Sequence, residues 1–274
     1  EYNDMTLLRN PHALEVGAAA GPELKFWNPT DSSPFSNWNS LLKALGEEGL
    51  FEHVDPEVVN GYNFGPASGS GDSGVTITPE DFNASGLMNF KIDVKEDQFL
   101  YLAIETSKDM RVKVRVNETT NDEEVKKGRS GTVRQAEARN IHWIETFDVG
   151  YVAAGDEVNF SIEQDKDKAS AVTVYAATVD KAKYERVISS IKEQEVDVQE
   201  WNANSLVAKY NAKTDGNLFL NIPYDSSWKA YIDGEEVKIE SIAETALLSV
   251  PTEAGEHELK LVFVPRGFEL GLTM

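Results

Sequence analysis

From about residue 87 to residue 178 apolar and polar positions alternate: Met88, Phe90, Ile92 and Val94 in one run, Val112, Val114 and Val116 in another. A period of two is the mark of a strand with one buried face, because successive side chains point to opposite sides of a sheet. Further strand-like runs cover 99–104, 141–149, 157–162 and 171–177. Short alternating strands separated by Asp, Asn and Gly turns predict an antiparallel sandwich of jelly-roll type. No rhythm of alternating strand and helix is present, which excludes a parallel α/β sheet.

The helical period surfaces twice. Trp38, Leu41, Leu42 and Leu45 recur at helix spacing behind Ser33, a cap residue, and Pro34, which suits a first turn. Tyr184, Val187, Ile188 and Ile191 form a second apolar stripe behind Asp180. The first helix lies in an opening segment, to about residue 85, that otherwise reads as irregular and contains the flexible loop 67–74. The second reads as the seam between domains. Beyond it, about seven short strands fit into about eighty residues, with Leu218, Leu220 and Ile222, then Trp228, Ala230 and Ile232, then Leu259, Leu261 and Phe263 facing inward. Asp233-Gly234 predicts a two-residue hairpin turn, whose positive φ angles this pair tolerates. The expected fold is mainly β: two sandwiches, jelly-roll-like over 1–180 and immunoglobulin-like over 181–274, with two short helices.

Composition narrows the chemistry. The 274 residues are 41% hydrophobic, enough to build cores and to exclude a disordered polymer. Twenty-six Lys and Arg against 47 Asp and Glu give a net charge of -21, which excludes a general nucleic-acid binder. No cysteine is present, so disulfides and thiolate chemistry are absent. No apolar run reaches the roughly 18 to 20 residues of a membrane-spanning helix, and a soluble chain is expected. One island departs from the acidic average: residues 106–139 hold nine Lys and Arg against six Asp and Glu.

Arg111, Lys113 and Arg115 lie in that island, and their alternation with valines puts three cations on one strand face, followed by Lys126, Lys127 and Arg129. Such a face suits phosphate oxygens of a teichoic acid or a lipid carrier, or guards a sheet against edge pairing. Trp201 ends a strand pattern beside Asn202 and is a candidate platform for a sugar ring, whereas Trp228 falls in register with the core. Tyr224 and Asp225 combine an aromatic ring and a carboxylate in a bend, where Asp either caps local amides or meets a saccharide hydroxyl. Gly71-Asp72-Ser73-Gly74 superficially resembles a serine-protease loop, with His12 and His53 upstream. Val75 follows where glycine would be needed, and the segment reads as a loop. No HExxH pair occurs, and Asp165-Lys166-Asp167 does not continue into a calcium loop. No catalytic residue, metal or cofactor is predicted.

The segment Leu218-Phe219-Leu220-Asn221-Ile222-Pro223-Tyr224-Asp225-Ser226-Ser227-Trp228-Lys229-Ala230-Tyr231-Ile232-Asp233-Gly234, with Gly255-Glu256-His257-Glu258-Leu259 and the closing Phe263 to Gly271, resembles the end of the YfhO family. Arg9-Asn10-Pro11-His12-Ala13-Leu14 and the helix from Pro34 to Leu45 resemble that family as well. The resemblance implies a polytopic bacterial membrane protein, similar to glycosyltransferases of the GT-C architecture that decorate teichoic acids of Gram-positive cell walls with lipid-linked sugars. It implies that this chain is the extracytoplasmic region between the last two membrane helices, with catalytic acids on the membrane part. The partners so implied are the transmembrane portion of the parent chain and a cell-wall glycan or teichoic acid. An autonomous carbohydrate-binding module and a docking domain without glycan contact are the rival readings.

Overall fold

The alternating segment folds as the pattern requires. In the computed structural model, which describes residues 13–30, 33–117, 134–138 and 143–265, strand Gly86–Asp93 buries Met88, Phe90 and Ile92 and turns Leu87, Asn89 and Lys91 outward. Five antiparallel strands form its sheet, in the order Glu57–Tyr62, Gly86–Asp93, Glu157–Gln164, Met110–Val116 and Arg134–Ala138. A second sheet runs Glu52–His53, Val172–Asp180, Gln98–Thr106 and Trp143–Val152, with Val75–Ile77 also pairing to Val172–Asp180. Phe90, Val112, Val114 and Phe160 share one core with Leu100, Leu102, Ile104, Val172 and Val174. Phe90 and Phe160 stack at its centre with centroids 4.9 Å apart. Burying each such side chain contributes about 1.5–3 kcal/mol, which orders the sheet and fixes which residues are left on its other face.

The second sandwich pairs Gly17–Ala20, Gly216–Pro223, Leu247–Thr252 and Glu240–Ile242 in one sheet. Its other sheet runs Asp197–Asn202, Ser205–Ala212, Gly255–Phe263, Trp228–Ile232 and Glu235–Val237. Leu218, Leu220, Leu248 and Val250 meet Leu206, Ala208, Leu259 and Leu261 in its core. Trp228 packs against that core edge-on to Phe263, in the register its alternation implied. Asp233 and Gly234 take φ angles of 51° and 88°, as a two-residue turn of this hairpin demands. After this turn the chain divides into two short strands, Glu235–Val237 and Glu240–Ile242, which belong to different sheets.

The domain limits differ from the expected split at residue 180. Among the described residues, one compact unit comprises those within Thr30–Asn39 and Leu50–Tyr184, and the other those within Glu1–Pro29, Ser40–Gly49 and Glu185–Met274. The reason is Gly17–Ala20, all four residues buried, which pairs antiparallel with Gly216–Pro223 and gives that strand a second neighbour. The opening segment is also less irregular than expected, since Glu52–His53, Glu57–Tyr62 and Val75–Ile77 are strands.

Both anticipated helices form, at Pro34–Ala44 and Lys181–Lys192. Ser33 Oγ, the predicted cap, accepts the Phe35 N–H at 3.1 Å, and Asp180 Oδ1 accepts the Lys183 N–H at 2.7 Å, so both side chains satisfy amides that the helix leaves open. No helix among the described residues is long and apolar enough to cross a membrane.

Candidate functional site

The face that the first sandwich turns away from its core is the best-formed candidate. Register sets its side chains in rows across the strands. Asn60, Asn89, Ser161 and Lys113 are successive cross-strand partners in one row, and Glu57, Lys91, Asn159 and Arg115 in the next. A third row carries Tyr62, Leu87, Glu163 and Arg111. A bulge between Val58 and Asn60 keeps Asn60 opposite Asn89 and adds Val59 to the rim. Most of these residues line an open groove of about 430 Å³, with Glu57, Lys91, Tyr62 and Arg111 on the same face beside it. That volume lies in the range of about 300–1,000 Å³ typical of small-molecule sites.

The groove is polar, and its charges are matched. Lys113 Nζ lies 2.6 Å from Glu163 Oε1, and Arg111 Nη2 lies 2.8 Å from Asp165 Oδ1 with its Nε 3.6 Å from Glu163 Oε2. Lys91 sits between Asp93 and Glu57, 3.6 Å from each, and the Asp93 charge foremost raises its pKa above the usual lysine value. Asn89 Nδ2 donates to Asn60 Oδ1 at 2.7 Å, and Asn159 Nδ2 to Glu157 Oε1 at 2.7 Å. Arg111, Lys113 and Arg115 therefore share a face, as their spacing required, but Arg111 and Lys113 are already bound to carboxylates of the neighbouring strand. Lys126, Lys127 and Arg129 lie outside the described residues.

Tyr224, Asp225 and Trp201 belong to the other unit and do not join this groove. Asp225 Oδ1 accepts the Ser227 N–H at 2.7 Å and its carbonyl accepts the Trp228 N–H at 3.1 Å, so the carboxylate organises its own bend. Tyr224 is half-buried, its N–H donating to the Ala246 carbonyl. Trp201, on the edge strand Asp197–Asn202, is 63% exposed.

The loop at Asp72 does reach a histidine, though not as a nucleophile relay. Asp72 Oδ1 and Ser36 Oγ both converge on His53 Nε2, at 2.7 and 3.0 Å, and Ser36 also donates to Asp72. A Ser-His-Asp triad needs hydroxyl and carboxylate on opposite ring nitrogens. Here they share one, while His53 Nδ1 is buried without a hydrogen-bond partner. Ser73 takes no part in this cluster, and His12 lies outside the described residues. Among the described residues no group of three or more His, Asp or Glu is placed to hold a metal ion.

The groove residues that motif reasoning passed over are Asn60, Asn89, Asn159 and Ser161. Their signal was present in the opposite phase of the strands that supplied the core.

The family model described as bacterial membrane protein YfhO matches residues 1–274. The chain belongs to the YfhO family. No curated protein matches it in sequence. Among solved structures, a Podospora anserina GH26-CBM35 β-(1,4)-mannanase is similar at 12% identity over 48% of this YfhO-family chain and 28% of the mannanase, with a TM-score of 0.29. A family 29 carbohydrate binding module complexed with cellulohexaose is similar at 8% identity over 48% of this chain and 83% of its own, with a TM-score of 0.27. A Paenibacillus cycloisomaltooligosaccharide glucanotransferase matches at 8% identity over 88% of this chain and 47% of its own, with a TM-score of 0.25. TM-scores this low establish no shared fold.

Proposed function

We propose that this chain is the non-catalytic, extracytoplasmic part of a YfhO-type membrane protein and that it holds the acceptor polymer of a glycosyl transfer. The transfer itself belongs to the membrane portion of the parent, which resembles a glycosyltransferase of the GT-C architecture drawing on a lipid-linked sugar. The observation that carries this reading is the open polar groove on the first sandwich, lined from its strands by Asn60, Asn89, Asn159, Ser161 and Glu163. A surface of this kind can hold a long polyhydroxylated chain without enclosing it. Fixing an acceptor beside a reacting centre removes much of the entropic cost of a bimolecular encounter.

The test belongs in cells that make the full-length parent. Replacing Asn89 and Asn159 together with Ala should lower sugar decoration of the cell-wall polymer, glycan or teichoic acid, at least tenfold with parent abundance unchanged. Undiminished decoration by the double variant would overturn the proposal. Protease accessibility of this region on intact protoplasts tests the side of the membrane in the same strains.

A further inference from the structure

We infer that the ligand of the groove is an uncharged glycan rather than a phosphate polymer, a deepening that rests on the acceptor-holding reading above. Charge decides between the two. Among the described residues around the groove Lys91, Arg111, Lys113 and Arg115 face Glu57, Asp93, Glu157, Glu163 and Asp165, four cations against five carboxylates. Lys113, Arg111 and Lys91 each lie within 2.6–3.6 Å of a carboxylate, and Arg115 is engaged as well. A phosphate seeking Lys91, Arg111 or Lys113 must displace a carboxylate of the same charge and then remain beside it. It exchanges one ion pair for another and gains little.

What the groove offers instead is unionised hydrogen-bonding capacity beside a small apolar strip. After the Asn89 to Asn60 bond, the Asn89 amide oxygen and the Asn60 amide nitrogen retain bonding capacity, and Ser161 adds a hydroxyl in the same row. Each sugar hydroxyl donates one hydrogen bond and accepts others, so neighbouring amides, hydroxyls and carboxylate oxygens suit it whatever the net charge. At one end Leu87 and Val59 line the groove, and register places Tyr62, 55% exposed, beside Leu87 on the same face. An exposed ring next to a polar row allows the C–H face of a pyranose to stack while its hydroxyls reach the amides.

The full 274-residue chain should be titrated by calorimetry against an array of uncharged hexose and N-acetylhexosamine oligomers, with unsubstituted poly(glycerol phosphate) and inorganic phosphate as the anionic arms. The expected result is binding to an uncharged oligomer that weakens much less than tenfold between about 50 mM and 200 mM salt, where a polyanion contact would be strongly salt-dependent. Asn89→Ala and the exposed Tyr62→Ala should each weaken it at least tenfold, with thermal unfolding confirming that both variants are folded. Poly(glycerol phosphate) binding that Asn89→Ala abolishes would overturn the uncharged-ligand inference yet leave the acceptor-holding reading standing. Silence from every uncharged oligomer with folded protein also overturns the inference, and the wider reading is then judged by the decoration assay.

Discussion

One side-chain pair shows how a turn residue acquires electrostatic work. Asp233 opens the hairpin turn with a positive φ, and the same geometry leaves its carboxylate able to accept the Glu258 N–H through Oδ1 and the His257 Nδ1 through Oδ2 at 2.7 Å. The hydrogen bond to Asp233 holds the His257 imidazole above the ordinary histidine pKa, against the opposing effect of burial. The bond to His257, then the Glu258 amide, hold Asp233 below the ordinary carboxylate value. A raised histidine stabilises fully below its unfolded pKa, near about 6.5, and loses that contribution as pH climbs through the folded value. A lowered aspartate contributes above its unfolded pKa, near about 3.9, and loses it as pH falls through its own folded value. The pair is therefore strongest between those two limits. The melting temperature of the chain should exceed that of His257→Gln most at about pH 5–6, and the gap should narrow as pH rises through the raised folded value. A gap that stays constant across that range would show that the ion pair contributes nothing to stability.

Among the elements, those with a strict two-residue period and large side chains were legible without coordinates. Gly86–Asp93, Met110–Val116 and Glu157–Gln164 were anticipated because Met88, Phe90, Val112, Val114 and Phe160 leave no other arrangement that buries them. Gly17–Ala20 was not, because Gly-Ala-Ala-Ala has no alternation and its strand character comes entirely from its partner, Gly216–Pro223. Glu57–Tyr62 was hidden by its bulge, which breaks the period between Val58 and Asn60. Arg134–Ala138 pairs with Met110–Val116 through backbone hydrogen bonds, which leave no side-chain pattern to read. The candidate groove was half legible for a related reason: three cations in a row announce themselves, whereas Asn89 and Ser161 look like any solvated strand face until register aligns them. The Gly17–Ala20 strand gives a direct test. A Cβ at Gly17 would overlap the Phe219 carbonyl oxygen and crowd the Leu220 side chain. Gly17→Val should lower unfolding stability by about 1–3 kcal/mol in urea, the usual cost of forcing extra volume into a packed site. An unchanged midpoint would mean that the strand adds nothing to the second sandwich.

For the whole molecule the decisive quantity is the imbalance of 26 basic against 47 acidic residues. Salt screens both the ion pairs that favour folding and the repulsion that opposes it, so the sign of its effect depends on which is larger. Several of the pairs are well exposed: Lys213 with Glu193, Arg186 with Glu48 and Lys168 with Asp109 all lie at the surface. Such pairs contribute about 0–1 kcal/mol each and many contribute nothing measurable. The unpaired excess of 21 negative charges repels itself throughout the fold and is relieved on unfolding. Repulsion should win. Raising sodium chloride from about 0.01 M, where charges interact over about 30 Å, to about 1 M, where they interact over about 3 Å, should raise the melting temperature by several degrees. The same repulsion would keep polyanions from settling on the surface at low salt, which is consistent with an uncharged occupant for the groove. A melting temperature that falls with salt would show instead that attractive pairs, not the acidic excess, dominate the electrostatics of the fold.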